Sequence, residues 1–140
     1  MTPEDEQLLR KAIELAHEAR AGGNPPFGSL LVGEGGEVLA EERNSSISDR
    51  DITARPELKL ARWAARELDP AVAAATTMYT SCQPCEMCTG AIARSGLGRV
   101  VFALSNEQLI PLKPPAPPAA VLEGPALFDE ARAVVEGYYL

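Results

Sequence analysis

Residues 81–105 read SCQPCEMCTGAIARSGLGRVVFALS and hold all three cysteines of the chain, Cys82, Cys85 and Cys88, within seven positions. An odd number of cysteines at this spacing does not make a disulfide framework. In a reducing compartment such a cluster points to metal binding or redox chemistry. Residues Cys85 to Ser95 read as a helix stopped by SGLG, followed by a strand, RVVFALS; the preceding ATTMYTS is a β-rich run suited to a central strand. A C-x-x-C at a helix start sets both sulfurs on one side of the first turn. There the helix dipole and free N–H groups are expected to lower the thiol pKa and favour the thiolate, the form that binds metal. Two such sulfurs are half of a tetrahedral zinc site, and a catalytic zinc needs one more protein ligand and an open position for water.

Upstream lies DITARPELKLARW, residues 51–63. Pro56 suits the first helical position, where its missing N–H costs nothing, and Glu57 follows it. The helix running to Leu68 is expected to bury Leu58, Ala61, Trp63, Ala65 and Leu68, leaving Lys59 and Arg62 as a solvated face. Residues Pro3 to Ala21 repeat apolar positions at helical spacing, and AGGNPPFG ends that helix. FGSLLVG and EGGEVLAEE form a hairpin around a glycine turn, and RNSSISDRD is a loop. IPLKPPAPPAA holds five prolines in eleven residues and reads as a semi-rigid loop. AAVLEG is a candidate short edge strand, and GPALFDEARAVVEGYY a last helix opened by Pro125 and ending near Gly137. The order helix, hairpin, helix, strand, helix, strand gives an α/β fold with a layered sheet.

The chain has 140 residues, which fits one domain, 1–140. Its 46% apolar content is that of an ordinary globular protein. No apolar run approaches the roughly 18 residues that span a bilayer, and the acidic, then amphipathic N-terminus lacks the pattern of a signal peptide; a cytosolic location is expected. The net charge of −7 argues against binding a nucleic-acid backbone, so a small uncharged or weakly basic molecule is the expected ligand.

The pair RPE at 55–57 and PCEMC at 84–88 resembles the H-x-E and P-C-x-x-C signature of cytidine-deaminase-fold zinc hydrolases. The element order, NPPFGSLLV and RNSS extend the resemblance over most of the chain, and SCQPCEMCTGAIARSGLGRVVFALS looks most like the cytosine- and guanine-deaminase branch. It implies a three-layer α/β/α domain with a mixed sheet of about five strands. It implies zinc held by Cys85 and Cys88, with Glu57 moving protons from zinc-bound water to the ring nitrogen and leaving amine. Asn44 would hydrogen-bond the substrate, Phe27 or Trp63 would wall the pocket, and Tyr138 and Tyr139 would cover it. The resemblance also implies a homodimer, and hydrolytic deamination of a cytosine-, guanine- or aminotriazine-like base with release of ammonia.

Three departures stand out. Arg55 occupies the place of the histidine ligand, and a guanidinium has no lone pair to give a metal. Gln83 stands where acidic residues are common, and the stretch between the fourth strand and the last helix is short. Cys82 makes C-x2-C-x2-C formally possible, but a small buried residue is the better reading. His17, the only histidine, lies mid-helix and is expected to have no role. Asn44 could simply shape a turn. The alternatives to an active deaminase are a deaminase-fold variant whose metal is weakened or lost, with Arg55 supplying charge in its place, and a thiol redox or binding module using Cys85 and Cys88.

Overall fold

A computed structural model describes the whole chain, residues 1–140. Helix α1 (Pro3–Ala21) begins at a capping box in which Thr2 Oγ1 accepts from the Asp5 N–H and Asp5 returns to the Thr2 N–H. Strands β1 (Gly28–Val32) and β2 (Val38–Arg43) form the hairpin, antiparallel with one register shift at Leu31/Val32. Helix α2 (Pro56–Glu67) and a short α3 (Pro70–Ala74) precede β3 (Thr77–Cys82); α4 (Glu86–Ser95) then crosses to β4 (Arg99–Leu104). The sheet order is β2-β1-β3-β4, with β3 antiparallel to β1 and parallel to β4.

Alternation along the strands divides the core between two faces. Leu30, Val32, Tyr79 and Val101 meet Leu9, Ala12 and Leu15 of α1. Leu31 and Met78 point the other way, to Leu60, Ala61 and Ala64 of α2 and Ile92 of α4. The result is the expected three-layer α/β/α arrangement. Gly28 lets α1 lie close on β1: a Cβ there would stand 2.5 Å from both the Ala12 carbonyl oxygen and Leu15 Cβ.

Three expectations change. The sheet has four strands, not about five. AAVLEG forms no strand and β4 is an edge, since Pro114, Pro115, Pro117 and Pro118 just upstream bring no N–H groups to a ladder. The last helix, α6, is Phe128–Val135 and does not start at Pro125; a short α5 (Asn106–Leu109) and a 3-10 turn (Ile110–Leu112) follow β4 instead. In α2 the inward stripe is Glu57, Leu60, Ala61 and Ala64, at spacing i, i+3, i+4, i+7. Leu58, Trp63 and Leu68 are only half-buried and Ala65 is exposed. Counting apolar residues alone misplaces this face because one of its members is a carboxylate.

Asp5 ties the layers together. It is 4% exposed, accepts from the Tyr79 hydroxyl at 2.7 Å and from Arg99 Nη2 at 2.9 Å, and so joins the start of α1 to β3 and β4. The Arg99 hydrogen bond, then those of the Thr2 N–H and Tyr79, holds its carboxyl well below the ordinary carboxylate range. A depressed folded-state pKa stabilises the fold above the unfolded value of about 4 and loses that contribution as pH falls through the folded value. Arg99 is half exposed, so the ion pair itself adds little. Asp5→Ala strands the buried Tyr79 hydroxyl and removes half of the capping box, an expected loss of about 2–4 kcal/mol by urea unfolding at pH 7. The gap from wild type should narrow as both proteins are taken to acid pH; a constant gap from pH 7 down to 2 would contradict this account.

Candidate active site

Helices α2 and α4 pack together on one face of the sheet, with Glu57 of the first in contact with Cys88 of the second. Arg55 is the residue before α2, with extended backbone (φ −101°, ψ 142°) and no side-chain capping bond. Pro56 takes the first helical position and Glu57 the second, which turns the glutamate inward; it is 5% exposed. Cys85 caps α4 in the same way (φ −78°, ψ 177°), and Cys88, one turn on, is wholly buried.

Two residues of the sheet floor complete the surroundings of Glu57. Ser29 Oγ stands 3.3 Å from Glu57 Oε1 and 2.7 Å from Thr80 Oγ1, and both hydroxyl residues are buried. A hydroxyl has one proton, so when Ser29 donates to the carboxylate, Thr80 donates to Ser29. Neither residue is marked by the sequence. A serine inside the apolar run SLLV, opposite a threonine in β3, becomes meaningful only once the register pairs them.

Burial holds the Glu57 carboxyl above its ordinary value, against the opposing pull of its own backbone N–H, the Arg55 charge and contacts with Cys88 and Ser29. A buried carboxyl of raised pKa can both take and give a proton near neutral pH. Cys88 departs from expectation. Burial, then the nearby Glu57 charge, pushes the Cys88 thiol up, with Arg55 opposing; burial does the same to Cys82. The dipole at the start of α4 does not offset full desolvation of Cys88.

Asn44 is buried just after β2. Its N–H donates to the Phe27 carbonyl, and its Oδ1 accepts from Ser46 N–H and Oγ, each at 2.8 Å. The oxygen therefore shapes the turn, while Nδ2 makes no hydrogen bond within the protein. Phe27 is half-buried beside it. Trp63 packs against the α2/α4 core cluster. Lys59, expected on a solvated face, instead donates to the Arg43 carbonyl at 2.9 Å and Ser45 Oγ at 2.6 Å, pinning the Asn44 loop to α2. Gln83 accepts from the Asn106 N–H at 3.0 Å and fastens the loop before Cys85 to α5. Tyr138 and Tyr139 are 79% and 85% exposed, stack edge-to-face on each other and do not cover the site of their own chain. Their segment is carried away from the body by the proline-rich stretch. His17 is exposed on α1.

The donor set can be tested against a catalytic zinc. No three His, Cys, Asp or Glu side chains converge to hold a metal, and Cys82 does not join Cys85 and Cys88. What the third position offers is the guanidinium of Arg55, a cation. Two thiols and a cation do not fit an ion that requires three protein donors.

The model of a family described as the cytidine and deoxycytidylate deaminase zinc-binding region matches residues 2–104, which run from the capping box of α1 to the end of β4. The chain belongs to this family. A Schizosaccharomyces pombe protein named "Probable cytosine deaminase" is 38% identical over 115 residues, 80% of this chain and 67% of that one. The tRNA-specific adenosine deaminase of Haemophilus influenzae is 37% identical over 102 residues, 73% of this chain and 59% of that protein. The chain thus spans about two thirds or less of these relatives. The crystal structure of guanine deaminase from Bacillus subtilis superposes with a TM-score of 0.77 at 25% identity, over 99% of this chain and 94% of that one. Residues 55–57 and 84–88 both lie within the matched region.

Proposed function

We propose that the chain is a hydrolytic deaminase of a small free heterocyclic base, cytosine-, guanine- or aminotriazine-like. The observation that carries this reading is Glu57: a buried carboxyl of raised pKa, supported by Ser29 and Thr80, between two paired helix starts. In the reaction the oxygen of water bonds to the amine-bearing ring carbon and the C–N bond breaks. Glu57 takes one water proton and gives it to the ring nitrogen, then carries the remaining hydroxyl proton to the amine, which leaves as ammonia. The free Nδ2 of Asn44 donates to a ring or carbonyl acceptor, and Phe27 flanks the base. A net charge of −7 favours a free base over a tRNA.

A second reading has a specific observation behind it. Arg55 leaves the family's metal position without a donor, so the protein would bind the base but turn it over weakly. Nothing in the geometry favours the thiol redox module, since burial drives Cys88 away from the thiolate. We take the protein to act in the cytosol on a soluble metabolite; no helix is long and apolar enough to cross a membrane.

The test is ammonia release from cytosine, guanine, aminotriazines, their nucleosides and a tRNA stem-loop, with calorimetric binding measured in parallel. Turnover of a free base establishes the first reading. Binding without turnover establishes the second, and a preference for the stem-loop overturns the choice of substrate class.

A further inference from the structure

Arg55 is the one cationic side chain that the fold draws inward and leaves without a partner. It is half-buried, and it enters no ion pair or hydrogen bond with the rest of the chain. Every other arginine is exposed. The two lysines drawn partly inward are both paired, Lys11 with Glu41 at 3.1 Å and Lys59 with Glu42 and the Arg43 carbonyl. A guanidinium carries five N–H donors and keeps its charge at any ordinary pH. Taking it out of water without an acceptor costs the fold free energy.

The loop before α2 decides what stands beside it. The Ser45 N–H donates to the Ala54 carbonyl at 3.0 Å, which pins the two ends of loop 45–54 together and sets Asn44 next to Arg55. Asn44 is 4% exposed, its Oδ1 is committed to Ser46, and its Nδ2 donates to nothing. No fully buried side-chain nitrogen or oxygen in the protein lacks a partner, so Nδ2 meets open space that a ligand can enter. Arg55 is also close enough to Glu57 and Cys88 for its charge to act on both. The start of α4 adds the N–H groups of Glu86, Met87 and Cys88, which have no acceptor in the protein. Against these donors the cluster holds one buried carboxylate, Glu57, to which Ser29 already donates.

We infer that this site takes an aminated heteroaromatic ring that carries a carboxylate, with the carboxylate on Arg55 and Asn44 and the amine toward Glu57. The planar fork of a guanidinium matches a carboxylate with two parallel hydrogen bonds, whereas a neutral carbonyl would leave its charge uncompensated. The substitution that removes a metal donor thus creates an anion position in the same place. The net charge of −7 opposes an acid only at a distance, and physiological salt screens that beyond about 8 Å. The inference narrows the free-base reading given above and rests on it only for taking this cluster as the ligand site.

The test is calorimetry on the full chain as purified, comparing cytosine-5-carboxylate with cytosine and 2-aminopyridine-3-carboxylate with 2-aminopyridine. Each acid should bind at least about 10-fold more tightly than its carboxylate-free parent, and added EDTA should change neither affinity. Arg55→Met should abolish the preference. Arg55→Lys keeps the charge and loses the fork, so it should retain only part of it, and this milder variant decides the matter if Arg55→Met does not fold. Asn44→Asp keeps the oxygen that receives Ser46 and replaces the donor by an acceptor; it should weaken both acids by about 10-fold or more. Acids that bind no better than their parents, or a preference that both Arg55 variants keep in full, would overturn the proposal. So would inorganic phosphate competing as strongly as the acids, or binding that EDTA abolishes. None of these readouts needs turnover. Acid preference without ammonia release faults the deamination reading and leaves the site standing, while ammonia release from cytosine with no acid preference does the reverse.

Discussion

Arg55→His raises the zinc content of the purified protein from well below one to one ion per chain. The change replaces a permanent cation by an imidazole with a lone pair, next to Cys85 and Cys88 on the neighbouring helix start. Loss of a mere outer partner of a metal ligand typically costs 10–100-fold in affinity, so recovery of a direct ligand should be worth about 100-fold or more. Elemental analysis and competition with a chromogenic chelator measure it. Two further signs should accompany the metal: added zinc should raise the unfolding midpoint of the variant and not of the parent, and ammonia release should rise with occupancy. Stoichiometric zinc in the parent protein would sink the idea, because Arg55 would then have no bearing on the metal.

Glu57→Gln, made in the Arg55→His background, should lower kcat by about 10²- to 10⁴-fold, the usual contribution of a positioned proton-transfer group. Glutamine keeps the volume of the side chain and an oxygen to accept from Ser29, yet it cannot carry the proton from water to amine. Zinc content and base binding should be nearly unchanged, and a fall in either would mean that the substitution acted on the site's architecture. An unchanged kcat would remove Glu57 from the mechanism.

Much of this arrangement is legible in the sequence because its signals are local. Pro56 and SGLG mark helix limits, ATTMYTS and RVVFALS mark strands, and C-x-x-C marks the start of α4. What escaped depends on contacts distant in the chain. Ser29 and Thr80 are 51 positions apart and meet only through the β1/β3 register. Asp5 looks like an ordinary first-turn acid until β3 and β4 bring Tyr79 and Arg99 to it. The inward face of α2 was misjudged for the same reason, since the site places a carboxylate on the stripe that periodicity assigns to apolar residues. The direction of the Cys88 shift also depends on burial, which spacing does not report. The C-terminal tyrosines failed differently: the resemblance set them over the pocket, and beyond the proline-rich stretch they stand exposed.

Position 55 sits outside the helix it precedes, in backbone that any residue adopts, with a side chain that makes no capping bond. Its charge does act on the buried Glu57 and on Cys88, so Arg55→His in the absence of metal should cost about 1 kcal/mol or less of unfolding free energy. Selection for a well-folded chain thus bears only weakly on the position that separates two metal donors from three. A lineage carrying this fold could lose its chemistry, or regain it, in a single substitution, and a melting curve taken without metal would give little warning.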